Sequence, residues 1–136
     1  MKPSLLDTNI LIAFLKGHPH VVAQMEQHLD EVGRPSISII TYYEILRGLK
    51  ELASPRRLAD FEDLMDHLHV RLLTRRVMGI AADLYVELRK RGEPLEDADI
   101  LIAATSLAHG LVLVTDNERH FRRIPKLKVE NWLHEA

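Results

Sequence analysis

The sequence lacks cysteine altogether, and this absence excludes several chemistries. Without thiols the protein cannot form disulfides, attack a substrate with a thiolate, or hold zinc or an iron–sulfur cluster through cysteine. An excess of charge of one sign is missing as well, because 18 Lys and Arg residues face 20 Asp and Glu residues, for a net charge of −2. A histone-like composition is therefore excluded, whereas a local basic surface is compatible with the sequence.

Long hydrophobic runs are also missing. The longest uncharged stretch, residues 100–115, is shorter than the roughly 18–20 residues that span a bilayer, and it contains polar side chains. Near the amino terminus, Asp7 interrupts the apolar residues almost at once, so we expect no export signal. We predict a cytoplasmic protein without a membrane segment, and its length of 136 residues predicts a single domain over residues 1–136.

Short apolar segments alternate with helical patterns along the chain. Strands are predicted at residues 4–6, 36–40, 70–73 and 111–115, with an edge strand at 128–129. Helices are predicted over residues 8–16, 20–32, 41–52, from Pro55 onward, over 75–91, and from Asp97 or Asp99 to His109. Strands separated by helices favour an α/β fold, a three-layer α/β/α sandwich around a central parallel sheet of about five strands.

Acidic residues follow most of the predicted strands. Asp7 ends the first strand, Glu44 lies early in the helix after the second, Asp97 and Asp99 begin the buried helix, and Asp116 follows the fourth strand. Open parallel sheets bind ligands at the carboxyl ends of their strands. Carboxylates gathered there repel by about 4 kcal/mol per pair at ~4 Å, so they must protonate, separate or bind a cation. Oxygen ligands favour Mg²⁺ or Mn²⁺, and such ions commonly act on phosphates.

Each acid taken alone also has a structural explanation. Thr41 and Glu44 have the spacing of a capping box, in which Glu44 would only satisfy a backbone N–H. The aspartates fit helix caps or turns equally well. For any single acid the structural explanation is favoured, and only their joint placement at one edge of the sheet favours a metal site.

The sequence resembles the PIN domain, and most closely the VapC-type toxin ribonucleases of bacterial type II toxin–antitoxin systems. The matching features, in chain order, are Asp7-Thr8-Asn9 after a short strand, Glu44, Asp99 followed by Ile100-Leu101-Ile102-Ala103-Ala104, and Val114-Thr115-Asp116-Asn117 followed by His120-Phe121. The resemblance covers essentially the whole chain, as far as residues 129–132.

The resemblance implies an endoribonuclease that depends on Mg²⁺ or Mn²⁺ and serves as the toxin of a two-gene module. The metal-binding and catalytic acids of the family fall on Asp7, Glu44 and Asp99. In many relatives a fourth acid stands two residues after the threonine, where this chain has Asn117, while Asp116 stands one residue earlier. Either Asp116 reaches the metal from that position, or three acids hold one cation.

Asp99 is preferred to Asp97 because the family's aspartate stands immediately before the matching apolar run. Three polar neighbours, Thr8, Asn9 and Thr115, are expected to orient the acids or a metal-bound water through hydrogen bonds.

RNA is repelled by an acidic pocket, so a nuclease of this kind needs basic residues near it. Arg119, Arg122 and Arg123 follow the predicted metal site directly, and His120 is a candidate phosphate contact. Other basic residues are more simply explained as solvated helix faces: Arg47, Arg56, Arg57, Arg75, Arg76 and residues 89–91. The pairs His18/His20 and His67/His69 are expected at the surface.

One apolar stripe, formed by Leu58, Phe61, Leu64, Met65 and Leu68, predicts a core face. The resemblance adds a VapB-like antitoxin bound in a groove near these helices, an RNA substrate and a homodimer. Two alternatives remain: a catalytically silent PIN-like module that binds RNA or protein, and a phosphatase-like enzyme. The latter expects a second aspartate two residues after the first, where Asn9 stands.

Overall fold

Five strands and seven helices are formed by residues 1–134, the part of the chain that the computed structural model describes. The strands are β1 (Ser4–Leu6), β2 (Ser36–Ser38), β3 (His69–Arg71), β4 (Val112–Val114) and β5 (Val129–Glu130). The helices are α1 (Thr8–Leu15), α2 (Pro19–Glu31), α3 (Ile39–Leu52), α4 (Pro55–Leu64), α5 (Arg75–Lys90), α6 (Asp97–His109) and α7 (Glu118–Phe121). A 3₁₀ turn, Met65–His67, precedes β3.

The strands form one parallel sheet in the order β3-β2-β1-β4-β5. Adjacent side chains of a strand point to opposite faces. Leu5 therefore packs in a core cluster with α5, α6 and Phe121, whereas Leu6 packs with α1–α4 and Trp132. The three-layer α/β/α sandwich predicted from the sequence is confirmed, and β1 lies at its centre.

The apolar stripe at residues 58–68 does face the core. Phe61 and Leu68 are buried, and Leu64 and Met65 pack against the same cluster. Helix α6 is buried along most of its length and is followed by the buried β4, as predicted. Gly110 has a φ of 62°, a conformation that costs glycine little and lets the chain turn directly from α6 into β4.

A buried histidine, His28, links the start of β1 to the end of α2 through hydrogen bonds. The backbone N–H of Ser4 donates to Nε2 of His28 at 3.1 Å, and Nδ1 lies 2.7 Å from the carbonyl oxygen of Gly33. Nε2 must therefore accept while Nδ1–H donates, which fixes the neutral tautomer of the ring. His28 is fully buried.

The second strand ends two residues earlier than the sequence predicts. Ser38 caps α3 because its hydroxyl accepts a hydrogen bond from the backbone N–H of Ile40 at 3.1 Å. Thr41 consequently lies inside the first turn of α3, and the capping box that the spacing of Thr41 and Glu44 allows does not form. The third strand is also displaced, to His69–Arg71. Within residues 1–134, no helix is both long enough and apolar enough to span a membrane.

Candidate active site

Three predicted acids meet at the carboxyl end of the sheet. Asp7 directly follows β1, Glu44 lies in the second turn of α3 after β2, and Asp99 lies in the first turn of α6. Strands β1 and β2 are neighbours, so the turns that follow them adjoin. β4 is the other neighbour of β1 and runs parallel to it. Helix α6 ends just before β4 begins, at the amino edge of the sheet, so α6 starts at the carboxyl edge, where Asp7 and Glu44 lie.

Asp7 is held by hydrogen bonds to both of its carboxylate oxygens, and only 3% of the residue is exposed. Oδ1 accepts from the backbone N–H of Thr8 at 2.8 Å, and Oδ2 accepts from the hydroxyl of Thr115 at 2.7 Å. Burial raises the pKa of Asp7 above its ordinary value, and the charge of Glu44 adds to this effect, against the two hydrogen bonds, which lower it. Ionised Asp7 is therefore less stable here than in water, because burial removes part of its solvation.

Glu44 is oriented by a chain of two hydroxyl groups. The hydroxyl of Thr8 donates to Oε1 of Glu44 at 2.7 Å, and the hydroxyl of Thr41 lies 3.0 Å from that of Thr8. Thr8 has a single hydroxyl proton, which it gives to Glu44, so Thr41 must be the donor to Thr8. Glu44 is thus directed toward β1 instead of toward the amino end of its own helix.

Asp99 shares the field of the other two acids. The pKa of Asp99 is raised first by burial, then by the charge of Asp7, and also by Glu96 and Glu44, whereas His120 lowers it. Asp97 is exposed and instead lines a groove between α5 and α6. The structure accordingly brings Asp99, and not Asp97, together with Asp7 and Glu44.

Asp116 is engaged by the carboxyl-terminal segment of the chain. Its Oδ1 accepts from Nδ2 of Asn131 at 3.1 Å and lies 3.9 Å from Nε2 of His134, with 48% of the side chain exposed. Its backbone N–H donates to Oδ1 of Asn9 at 3.2 Å. Asp116 is not among the charges that raise the pKa of Asp7 or Asp99. Asn117 is exposed and precedes α7.

The carboxylates suit a hard divalent cation, although their side chains are not arranged to coordinate one as they stand. Within residues 1–134, no three or more His, Cys, Asp or Glu side chains are arranged to hold an ion as they stand. Asp7 and Glu44 direct oxygens to threonine hydroxyls, and a cation must compete with those hydrogen bonds. Carboxylate oxygens are the ligands that Mg²⁺ and Mn²⁺ prefer. Burial and, after it, the charges of neighbouring acids raise the pKa of Asp7 and Asp99, and a bound cation would favour their ionised forms.

Two of the three arginines expected near the acids form ion pairs with glutamates. Arg122 forms an ion pair with Glu118 at 2.9 Å, and Arg123 lies 3.9 Å from Glu93. Arg119 is exposed on α7, and no ion pair of Arg119 occurs in the described part of the chain. His120 is the basic group whose charge acts on Asp99.

Two residues at the site were missed by sequence reasoning. Thr41, which orients Thr8, has the spacing of a helix cap, and only the end of β2 at Ser38 shows that it is not one. Asn131 holds both Asp116 and Glu118, with Nδ2 at 3.1 Å and 3.2 Å from their carboxylates. Its position 15 residues beyond Asp116 gave no local signal.

The chain is similar to known proteins over nearly its whole length. The family model described as the PIN domain matches residues 4–127. The chain is 32% identical to ribonuclease VapC2 of Haemophilus influenzae, covering 95% of this chain and 97% of the relative. It is 34% identical to the tRNA(fMet)-specific endonuclease VapC of Salmonella typhimurium, covering 94% and 96%. A crystal structure of DNA-bound VapBC from Salmonella typhimurium is similar with a TM-score of 0.86 at 34% identity, covering 97% and 99%.

Proposed function

This chain belongs to the PIN domain family, and we propose that it is an endoribonuclease dependent on Mg²⁺ or Mn²⁺, the toxin of a VapBC-type toxin–antitoxin module. The observation that supports the metal dependence is the burial of Asp7 close to Asp99, where burial first, and then the charges of neighbouring acids, raise the pKa of each. Asp7, Glu44 and Asp99 are the proposed metal ligands and catalytic residues.

Hydrogen bonds from three threonines orient the acids before the substrate binds. Thr115 and Thr8 hold the two oxygens of Asp7, while Thr41 and Thr8 orient Glu44. These contacts remove rotamer freedom that would otherwise be lost on binding. A divalent cation, when bound, would lower the pKa of the attacking water and stabilise the negative charge on the leaving phosphate oxygen. We propose Asp116 as a fourth metal ligand only in a state in which its hydrogen bond with Asn131 is broken.

RNA is the proposed substrate because of the relatives that this chain resembles. Two of them bear the names ribonuclease VapC2 and tRNA(fMet)-specific endonuclease VapC. The reaction is hydrolysis of a phosphodiester bond, in which water attacks phosphorus in line with the leaving oxygen. We propose that this takes place in the cytoplasm, where RNA is available, and that residues 1–136 act as one domain.

The test is cleavage of total cellular RNA by the purified chain, with Mg²⁺, with Mn²⁺ and with EDTA. Fragments are expected with either metal and none with the chelator. A catalytically silent PIN-like module would instead bind RNA or a partner and produce no fragments with any divalent cation.

A VapB-like antitoxin is the proposed protein partner, since similar structures are of VapBC complexes. A groove of about 530 Å³ runs between α1, α3 and α4, and Glu44 lies on its wall. Three of its apolar side chains are exposed: Ile12, Leu15 and Leu52. We propose that an antitoxin segment covers these side chains and thereby closes access to the acids.

Replacing Leu52 by glutamate is expected to weaken the toxin–antitoxin complex by about 10- to 100-fold, because a charge would be buried in an apolar contact. Leu52 is 61% exposed, so folding and RNA cleavage should be retained. Leu72→Glu is a matched control, since Leu72 is 62% exposed and lies outside the groove. Calorimetric titration with the antitoxin measures both, and equal affinities for the two variants would contradict the proposed groove.

A homodimer is proposed from a second apolar surface. Met78, Tyr85 and Val86 on α5 are exposed beside a groove of about 410 Å³ that reaches Leu101 on α6. Apolar patches of this kind on a small protein mark interaction surfaces. A second copy of the chain, packed through α5, is the proposed occupant.

The stability of the metal-free protein is expected to depend on pH through Asp7 and Asp99. The pKa of each carboxyl group is higher in the folded protein than in the unfolded chain, so the folded state binds the proton more tightly. The stability that this gives is fully present below the unfolded pKa and is lost as pH rises through the folded pKa. In EDTA, the melting temperature of wild type relative to Asp99→Asn should therefore fall as pH rises from about 4 to about 7.

Millimolar Mg²⁺ or Mn²⁺ at neutral pH is expected to restore stability to the wild type by mass action, and to do so much less for the variant. Melting curves in EDTA and in metal measure this. A wild type whose curves superimpose under both conditions, and whose difference from Asp99→Asn does not vary with pH, would argue against a shared acidic site.

A further inference from the structure

A second cluster of ionisable groups, all basic, lies at the opposite end of α6 from the acids. It consists of Arg34 before β2, His69 and Arg71 on the edge strand β3, Arg76 on α5 and His109 at the end of α6. We call these five residues the β3 basic patch. Four of them are exposed, and Arg71 is half-buried.

Strand register explains why these residues converge. Leu5 is paired with Ser36, and Ser36 with His69, so all three point to the face of the sheet that carries α5 and α6. Arg71, two residues further along, points the same way, and its Nε donates to the hydroxyl of Ser36 at 3.1 Å. Arg76 in the first turn of α5 and His109 at the end of α6 lie near this part of the sheet, because the charges of Arg71, Arg76 and His69 act on His109. The charges of Arg71 and Arg34 act in the same way on His69.

In the described part of the chain, no ion pair neutralises the arginines of the patch, Arg34, Arg71 and Arg76. This distinguishes them from Arg122 and Arg123, which are paired with glutamates. A chain with a net charge of −2 repels RNA as a whole, so its affinity for RNA must come from local clusters of this kind.

We propose that the β3 basic patch binds backbone phosphates of the RNA substrate away from the cleaved bond, an inference that rests on the proposed ribonuclease function. Arginine guanidinium groups match phosphate geometry, and the rings of His69 and His109 offer surfaces on which unpaired bases stack. Asp99 and His109 are ten residues apart on α6, which at 1.5 Å per residue separates the patch from the acids by about 15 Å. An RNA must therefore extend well beyond the cleaved nucleotide to reach it.

The two histidines give the patch a pH dependence. Burial lowers the pKa of His69, helped by the charges of Arg71 and Arg34. The pKa of His109 is lowered in the same way by burial, Arg71, Arg76 and His69. Bound phosphates would act in the opposite direction and raise the pKa of both rings again. RNA binding should then take up protons and tighten as pH falls from about 7.5 to about 6.

The experiment compares wild type with Arg34→Gln/Arg76→Gln, which removes two exposed charges without touching the acids. Binding of unfractionated bacterial tRNA, measured in EDTA so that nothing is cut, is expected to weaken about tenfold or more. The slope of log affinity against log salt should fall by about one for each arginine lost. Arg34→Lys/Arg76→Lys should keep most of the binding. Cleavage of a dinucleotide RNA with Mg²⁺, which has no phosphate besides the cleaved one, should be unchanged.

The matched control is Arg56→Gln/Lys90→Gln, which removes two exposed charges outside the patch. Equal loss of tRNA binding in both double variants, or no loss in either, would overturn the proposal, as would a wild type that does not bind tRNA. Histidine substitutions His69→Asn/His109→Asn should abolish the pH dependence of binding. If the wild type binds tRNA through the patch but cuts no RNA, the ribonuclease function fails while the phosphate-binding surface stands.

Discussion

Replacing Asp7 by asparagine is expected to reduce RNA cleavage by about 100- to 1,000-fold while the fold survives, a loss comparable to that of one electrostatic group in other active sites. The substitution removes the charge of the most buried of the three acids and preserves its volume. An asparagine Oδ1 can still accept the hydrogen bond that Thr8 N–H donates to Asp7 Oδ1. The hydroxyl of Thr115 can rotate to accept from the new amide.

The same substitution is expected to leave the metal-free protein as stable as the wild type or slightly more stable at neutral pH. Burial and the charge of Glu44 already raise the pKa of Asp7, so the ionised carboxylate opposes folding there. RNA affinity should be unchanged or higher, because one negative charge near the phosphates is gone. A loss of cleavage without a loss of stability or binding therefore identifies a catalytic residue and excludes a folding defect.

The measurements are cleavage of total RNA with Mg²⁺, binding of RNA in EDTA, and thermal unfolding. Asp83→Asn is the matched control, since Asp83 is exposed on α5 and lies outside the site. Growth arrest on induction should require Asp7 and not Asp83. Cleavage by Asp7→Asn at the wild-type rate would rule out Asp7 as a metal ligand.

Those features that depend on local pattern were predictable from the sequence. The short strand before Asp7 and the buried run of α6 follow from hydrophobicity alone, and the alternation of strands and helices predicts the parallel sheet. The position of Asp7 and Asp99 at one edge then follows from the geometry of such a sheet.

The contacts that orient the acids were not predictable, because they join residues far apart in the chain. Glu44 has the sequence spacing of a capping box, but Ser38 caps the helix and leaves Glu44 to the hydroxyl of Thr8, 36 residues away. Asp116 is likewise directed by Asn131, which belongs to the segment after β5. In both cases a local pattern allowed two arrangements, and tertiary contacts selected one.

The basic patch shows the same limit. His69 and Arg71 are separated by one residue, which places them on one face only if they lie in a strand. The sequence predicts that this strand begins at residue 70 and that His69, paired with His67, lies at the surface, whereas β3 begins at His69. The convergence with Arg76 and His109 depends on how α5 and α6 lie against the sheet, for which the sequence carries no local signal.

Asp99→Asn is expected to reduce cleavage about as strongly as Asp7→Asn, by about 100-fold or more, whereas Asp97→Asn should change it by less than about threefold. The two aspartates are two residues apart in the first turn of α6, so they project about 200° apart around the helix axis. One therefore faces Asp7 and Glu44 and the other faces away.

The surroundings of the two side chains support this difference. Asp99 is half-buried, and its pKa is raised by burial and by Asp7, whereas Asp97 is exposed beside α5. The negative charge of Asp97 interacts favourably with the positive end of the helix dipole and stabilises the fold by roughly 0.3–1 kcal/mol. This interaction contributes to stability and not to cleavage. Its replacement should therefore lower the melting temperature slightly, while replacement of Asp99 should not.

Rates of RNA cleavage at saturating Mg²⁺, measured together with melting temperatures in EDTA, separate the two roles. The expected pattern is an inactive Asp99→Asn with undiminished stability and an active Asp97→Asn with slightly reduced stability. The reverse pattern would mean that the match to the PIN domain is displaced by two residues at α6. It would also mean that the charge of Asp7 acts on Asp99 without the two sharing a cation, because proximity alone raises the pKa of a carboxyl whether or not it binds metal.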